Sequence, residues 1–185
     1  QLWENGPSRM GSTNEHMSTV SAPTVILLAG PKGSGKTTSA NTLAHSLGAV
    51  PLSFGNYVRS EAVARGLPDS PRVLADLGEN LLHQNGVDAF VDGAIAFAGW
   101  SGNTPLVVDG LRHMAVLHAL KRRFPQAKLI YLDAPPTLRH DRLRIRDGSS
   151  AVDSIALADH STEAEARSLR EAADRVLTIS TETFL

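Results

Sequence analysis

Short apolar runs alternate along this chain with longer segments in which apolar residues return every three or four positions. Each run has the length of a strand that is buried on both faces, while the longer segments have the spacing of amphipathic helices. The runs lie at 24–29, 50–54, 106–108, 128–132 and 176–179. Strands that alternate with helices predict a parallel sheet with right-handed crossovers and helices on both faces.

The same spacing predicts where the helices lie. Ala40, Leu43, Ala44 and Leu47 share one helical face, and Gly48 stands where that helix would stop. The stretch 55–66 is typical of a turn followed by a helix. The other predicted helices lie at 71–86, at 87–97, around 117–124, from 135 onward and around 163–169. Proline at position 51 places the second strand at an end or an edge of the sheet.

The 185 residues are enough for one domain, which we expect to span 24–185. Residues 1–23 are rich in small and polar residues without periodicity, so a poorly ordered tail is expected there. The pair His16-Met17 has the character of a cloning junction, and we expect residues 1–16 to be foreign to the natural chain.

Composition narrows the classes of function. The 18 Lys and Arg residues nearly balance the 19 Asp and Glu residues, so no global positive field is expected to attract nucleic acid or a membrane. The absence of cysteine excludes disulfides, thiolate zinc sites and thiol catalysis. No apolar run approaches the length that spans a membrane. We therefore expect a cytoplasmic protein whose partners are small molecules.

The stretch 30–37 reads GPKGSGKT and fits the phosphate-loop pattern GxxxxGK[ST]. Its glycines let backbone N–H groups turn toward a polyphosphate, and the following helix adds positive potential. Lys36 is expected to reach the β and γ phosphates and Thr37 to hold Mg²⁺. A chance glycine-rich turn is the alternative, but a strand precedes this loop and a helix follows it. The residues predicted to bind the ATP phosphates are Gly30, Gly33, Ser34, Gly35, Lys36, Thr37 and Thr38.

Asp109 follows the apolar run 106–108, at the carboxyl end of a predicted strand. Ligands bind at that edge of a parallel sheet, so Asp109 is predicted to be a second Mg²⁺ partner, and its alternative role is to cap the turn at Gly110. The next residue is glycine, whereas mechanical ATPases generally have a glutamate there to activate water. The NKxD motif, by which GTPases recognise guanine, is also absent from the sequence. A mechanical ATPase and a GTPase are therefore disfavoured, which leaves transfer to a bound acceptor.

Three arginines at spacings of i, i+3 and i+7 share one face of the helix that begins near position 135. They are Arg139, Arg142 and Arg146. Together with Arg144 they form the densest cationic cluster in the chain. One interpretation is a lid that closes arginines over a transferring phosphoryl group. The other is a solvated face that Asp141 and Asp147 partly neutralise.

With these features the chain resembles the P-loop nucleoside monophosphate kinase family, in particular its deoxynucleotide kinase and dephospho-coenzyme A kinase branch. The stretches that carry the resemblance are GPKGSGKTT at 30–38, SFGNYVR at 53–59, VVDGLRH at 107–113, YLDAPPTLRHDRLRIR at 131–146 and LREAADRVLTIS at 169–180. The family commonly has an acidic residue where this chain has Asn56. Arg112 also lies one place closer to the aspartate than in adenylate kinases.

The resemblance implies a three-layer α/β P-loop kinase fold around a five-stranded parallel sheet. It implies an acceptor-binding helical region at about 55–98 and a lid at about 139–160. It assigns acceptor binding to Gly55, Arg59 and Arg112, and catalysis to Lys36, Asp109, Arg142 and Arg146. Mg²⁺ is the implied cofactor and ATP the co-substrate.

The implied reaction moves the γ-phosphoryl group of Mg·ATP to a nucleoside or deoxynucleoside monophosphate, giving ADP and a diphosphate. Two alternatives remain open. One is transfer to a hydroxyl, as in dephospho-coenzyme A kinases, with Asp109 as the base. The other is an ATP-dependent switch or binding protein with little turnover. A monomer or a homodimer is expected.

Overall fold

Five strands form a single parallel sheet in the computed structural model, which describes residues 22–148 and 163–179. The strands are β1 Val25–Ala29, β2 Val50–Ser53, β3 Leu106–Leu111, β4 Lys128–Asp133 and β5 Arg175–Thr178. The helices are α1 Lys36–Leu47, α2 Phe54–Ala64, α3 Pro71–Asn85, α4 Val87–Phe97, α5 Met114–Arg123, α6 Pro136–Asp147 and α7 Glu163–Glu171. The predicted five-stranded α/β fold is confirmed.

The strand order across the sheet is β2-β3-β1-β4-β5, and every neighbouring pair is parallel. β1 therefore lies at the centre, and the phosphate loop that follows it emerges in the middle of the carboxyl edge. β2 pairs with β3 alone, which confirms the edge position expected from Pro51. Proline is tolerated there because it has no N–H to donate to a second neighbour.

The core lies on both faces of the sheet. The larger cluster fills the space between the sheet and helices α2 to α5 and α7, with Leu27, Leu120 and Leu129 fully buried. The smaller cluster joins Leu28 and Val107 to the apolar face of α1. α1 is thereby held against β1, which leads into the phosphate loop, and against the neighbouring strand β3, and this contact fixes the position of its first turn.

Two local predictions were wrong. No turn precedes α2, which begins at Phe54 directly after β2, because Ser53 Oγ accepts a hydrogen bond from the backbone N–H of Asn56 and caps the helix. β3 does not end before Asp109 but continues to Leu111, so this carboxylate projects from within a strand. Helix α4 has the predicted bounds.

Some predictions fall outside the described residues. They are the tail at 1–21, the part of the lid at 149–162 and the last residues, 180–185. Over the two described ranges, no helix combines the length and the apolar character that a membrane crossing requires.

Candidate active site

The phosphate loop connects β1 to α1 and depends on glycine at defined positions. Gly30, Gly33 and Gly35 all have positive φ, of 142°, 82° and 95°. Space is also limiting, because a methyl group at Gly30 would lie 2.2 Å from the carbonyl oxygen of Leu132, and one at Gly33 would lie 2.7 Å from that of Arg139. The loop can therefore adopt this curled backbone only with glycine at these places.

Lys36 is the first residue of α1, and its side chain reaches back across the loop. Its Nζ donates a 2.8 Å hydrogen bond to the carbonyl oxygen of Pro31. Burial lowers the pKa of Lys36 to about 7, and the positive charge of Arg112 adds to this effect. A partly buried ammonium group beside another cation favours an anionic ligand, because an anion would compensate both charges.

Further charges act on Lys36 from β3 and α6. Besides Arg112, the positive charges of Arg139 and Arg146 lower the pKa of Lys36, whereas the carboxylate of Asp109 raises it. The charges that act on the lysine are thus those of three guanidinium groups and one carboxylate. This excess of positive charge is the arrangement that a polyphosphate requires.

The other end of the loop meets β3. Thr37 Oγ1 donates a 2.7 Å hydrogen bond to Asp109 Oδ2. Asp109 is 5% exposed, and its Oδ1 has no hydrogen-bond partner among the described residues. A hydroxyl beside an unpaired carboxylate oxygen is a donor set suited to a hard cation, so these two residues fit Mg²⁺. Within 22–148 and 163–179, no group of three or more His, Cys, Asp and Glu residues could hold a metal ion.

The remaining loop residues contribute less to the polar surface of the site. Ser34 is completely buried, and its Oγ has no hydrogen-bond partner within the described part of the chain. Thr38 is exposed on the first turn of α1. The prediction that both contact phosphate remains a prediction.

Helix α6 runs beside the phosphate loop and is anchored by Leu143, which is 1% exposed. Arg142 Nη1 lies 3.5 Å from the carbonyl oxygen of Gly33, at the limit of a hydrogen bond. Arg144 has a different environment. Its side chain is 72% exposed, and its Nη1 lies 4.0 Å from Asp141 Oδ1. The structure therefore brings Arg142 to the loop and leaves Arg144 in solvent.

The predicted acceptor residues are only partly brought together. Gly55 lies at the start of α2, where its backbone N is 3.5 Å from the position that a methyl group on Gly110 would take. Arg59 lies one turn further along α2, and its Nε is 3.1 and 3.0 Å from the two carboxylate oxygens of Asp69. Arg59 is 47% exposed, and its charge is not among those that shift the pKa of Lys36.

A small cleft of about 120 Å³ opens where α1, β2 and α2 meet. Its lining includes Thr37, Asp109, Ser53, Asn56 and the half-exposed ring of Phe97. Sequence reasoning missed Phe97, because it predicted only that this residue ends the helix at 87–97. It also missed Asp69, because no periodicity relates that residue to Arg59.

Known proteins resemble this chain in sequence and in fold. A family model described as AAA domain matches residues 26–167. A UPF0200/UPF0201 protein of Archaeoglobus fulgidus is 32% identical over 152 residues, which cover 80% of this chain and 47% of that protein. The chain thus spans about half the length of this relative. A UPF0200 protein of Methanothrix thermoacetophila is 31% identical, with 80% of this chain and 78% of that protein covered.

Solved structures with this fold include kinases. Shikimate kinase from Acinetobacter baumannii in complex with shikimate superposes with a TM-score of 0.57, over 86% of this chain and 85% of that one, at 19% identity. An identity this low shows the fold alone. The fold is that of a P-loop kinase, as the sequence predicted.

Proposed function

The chain belongs to the AAA domain family and to the UPF0200 proteins, and from this premise we propose that it transfers the γ-phosphoryl group of ATP to a nucleoside or deoxynucleoside monophosphate. The observation that carries the proposal is the charge around Lys36. Arg112, Arg139 and Arg146 act on this lysine against the single carboxylate of Asp109. Such a site is suited to the charge of two phosphorylated substrates that meet end to end.

The chain's own residues supply alignment and charge in this mechanism. The curled loop directs backbone N–H groups at the ATP phosphates, and Lys36 exchanges its hydrogen bond to Pro31 for one to a phosphate oxygen. Arg142 and Arg146 compensate the charge on the transferring group. Mg²⁺, when bound by Thr37 and Asp109, neutralises phosphate charge.

The transfer itself forms one bond and breaks one. An oxygen of the acceptor phosphate attacks the γ-phosphorus while the bond from that phosphorus to the β–γ bridging oxygen breaks, so ADP leaves with both electrons of that bond. No general base is needed, because a phosphate monoester with a second pKa near ~6 is already largely ionised at neutral pH. The proposed transfer therefore does not require a Ser/His/Asp arrangement.

A hydroxyl acceptor is the second candidate, and one observation favours it. Asp109 Oδ1 has no hydrogen-bond partner among the described residues, so it could accept a proton from an attacking hydroxyl group. That role competes with metal binding at the same oxygen. The identity of the acceptor separates the two roles, because only a hydroxyl acceptor brings a proton that Asp109 would have to accept.

The test is a coupled assay of ADP release from Mg·ATP with a panel of acceptors. The panel contains ribo- and deoxyribonucleoside monophosphates, dephospho-coenzyme A, and the matching nucleosides as controls without phosphate. We expect at least one monophosphate to stimulate ADP release and its nucleoside to fail. Stimulation by dephospho-coenzyme A alone would favour the hydroxyl acceptor. ATP binding without ADP release for any acceptor would indicate a switch and contradict the proposal.

A further inference from the structure

A second and larger cleft lies beyond the phosphate loop, on the β4 side of the sheet. It has a volume of about 520 Å³ and opens between the end of β4, α6 and α7. This volume lies within the range of sites that bind small molecules. Its distinguishing feature is three arginines in its lining, which are Arg139, Arg167 and Arg170.

The arginines of this cleft differ in how their charges are compensated. Arg170 Nε lies 3.5 Å from Asp133 Oδ2, so its charge is partly neutralised. Arg139 Nε is buried and has no hydrogen-bond partner among the described residues. Buried N–H groups are nearly always paired in folded proteins, so this one indicates an acceptor that a ligand supplies. A guanidinium group binds oxyanions best, because its planar N–H groups match their oxygens.

The other lining residues limit what else the ligand carries. Asp133 and Glu171 add two carboxylates to the lining, which also includes Tyr131. Carboxylates accept hydrogen bonds from hydroxyl groups and repel a second anionic group. The lining therefore suits a molecule with one phosphate at one end and hydroxyl groups at the other.

The cleft also touches the phosphate loop. Pro31 is part of its lining, and the carbonyl oxygen of this residue holds Lys36 Nζ at 2.8 Å. The backbone of Arg139 packs against Gly33, where a methyl group would lie 2.7 Å from the arginine carbonyl oxygen. A ligand in this cleft would thus contact the loop directly at Pro31, and would contact Gly33 through Arg139.

We propose that this cleft is a second oxyanion site, separate from the phosphate loop, which binds a hydroxylated phosphate monoester such as a sugar phosphate. Arg139 and Arg167 bind the phosphate, and Asp133 and Glu171 accept hydrogen bonds from the hydroxyl groups. The ligand is either the phosphorylated acceptor itself or a separate effector, since both present the same chemistry. Binding at this site does not require that phosphoryl transfer occur.

The experiment titrates ribose 5-phosphate into the full chain, already saturated with Mg²⁺ and a non-hydrolysable ATP analogue, and measures the heat of binding. The analogue fills the phosphate loop, and repeating the titration with Arg59→Ala removes the predicted acceptor contact on α2, so binding that persists there belongs to the cleft. We expect saturable binding of ribose 5-phosphate and none of ribose. Arg139→Ala and Arg167→Ala should each weaken binding by about tenfold or more, as expected for charge-assisted hydrogen bonds.

Arg144→Ala is the matched control, because Arg144 lies on the same helix as Arg139 but outside the cleft. The dissociation constant of ribose 5-phosphate for this variant should stay within about twofold of the wild-type value. Arg167 is exposed, so its replacement should leave the thermal unfolding temperature unchanged even if Arg139→Ala does not fold. Absence of saturable binding, or equal affinity in wild type and Arg167→Ala, would overturn the proposal.

A competition arm identifies the source of the ligand. If the acceptor occupies the cleft, a nucleoside monophosphate at saturation abolishes binding of ribose 5-phosphate, and Arg167→Ala raises the KM of the acceptor. If an effector occupies it, the monophosphate leaves the affinity for ribose 5-phosphate unchanged. Both results uphold the site. The titration needs no turnover, so failure of the kinase assay and failure of this site remain distinguishable.

Discussion

Thr37 and Asp109 stand 72 positions apart in the chain, yet Thr37 Oγ1 donates a 2.7 Å hydrogen bond to Asp109 Oδ2. This bond joins the phosphate loop to the neighbouring strand β3. It also leaves the second carboxylate oxygen unpaired among the described residues, beside the hydroxyl. The charge of Asp109 is therefore best explained by a cation that the two residues share, and this can be tested.

Asp109→Asn should weaken the Mg²⁺ dependence of the reaction and lower kcat. The amide oxygen can still accept the hydrogen bond from Thr37, so the substitution removes charge and preserves shape. We expect the Mg²⁺ concentration for half-maximal rate to rise by about 10- to 100-fold. Magnesium titrations of the initial rate measure this, with Asp141→Asn on the exposed face of α6 as control. An unchanged titration would assign Asp109 a purely structural role.

Lys36→Met should lower kcat by at least about 100-fold, because it removes a charged donor from the transferring phosphates. The fold should persist, since the side chain makes its hydrogen bond to a loop carbonyl and methionine has a similar length. Steady-state rates and circular dichroism on the same sample measure both effects. Lys128→Met is the control, on an exposed lysine of β4. Turnover near the wild-type rate in a folded Lys36→Met protein is incompatible with the proposed function.

Arg59→Ala should raise the KM of a monophosphate acceptor by about tenfold, while the dissociation constant of ATP stays within about twofold. Asp69→Asn should act in the opposite direction. It removes the carboxylate that occupies Arg59, so the KM of the acceptor should fall by about 2- to 5-fold, the scale of an exposed ion pair. Initial rates against acceptor at saturating ATP measure both changes.

Arg65→Ala controls for these changes, because Arg65 lies just beyond the end of α2 and pairs with Glu61 at 3.1 Å, one turn earlier in the helix. If ATP affinity fell as much as acceptor affinity in Arg59→Ala, Arg59 would belong to the donor site or to the fold. If Asp69→Asn left the KM unchanged, the ion pair would not compete with the acceptor.

Asp174 provides a pH-dependent prediction about stability. The backbone N–H of Leu129 and the Nζ of Lys121 donate hydrogen bonds of 2.7 and 2.9 Å to its carboxylate and lower its pKa from 3.8 to about 2. A depressed pKa stabilises the fold above the unfolded pKa, and this contribution is lost as the pH falls toward the folded value. Asp174→Asn should therefore lower the free energy of unfolding by about 1 to 2 kcal/mol at neutral pH.

The difference between wild type and Asp174→Asn should shrink between pH 4 and pH 2, as the wild-type carboxylate takes up its proton. Urea unfolding at a series of pH values measures this. Asp88→Asn is the control, because Asp88 is 79% exposed and pairs with Arg122 on the surface. A difference that stays constant down to pH 2 would show that the charge of Asp174 does not stabilise the fold.

The sequence was sufficient for the sheet, for most helix bounds and for the phosphate loop. Strands and helices are recognised from the spacing of apolar residues, which is a local property. The loop is also local, since its glycines, Lys36 and Thr37 are consecutive or nearly so. Two boundaries were predicted wrongly at this level. At Ser53 a capping hydrogen bond starts the helix earlier, and at Asp109 two further strand pairs, Ser53 with Asp109 and Ala29 with Leu111, extend β3.

Tertiary structure alone decided which distant charges meet. The shared carboxyl edge of the sheet predicted that Thr37 and Asp109 lie together. Nothing local in the sequence relates Arg59 to Asp69, or Asp174 to the backbone of Leu129. The sequence placed Arg139 on one helical face with Arg142 but could not show that it also lines a cleft with α7. Such pairings depend on how strands and helices pack across the sheet, and the strength of each pairing falls steeply with distance. The chain's local pattern thus determined the P-loop fold, and packing determined which charges surround the loop.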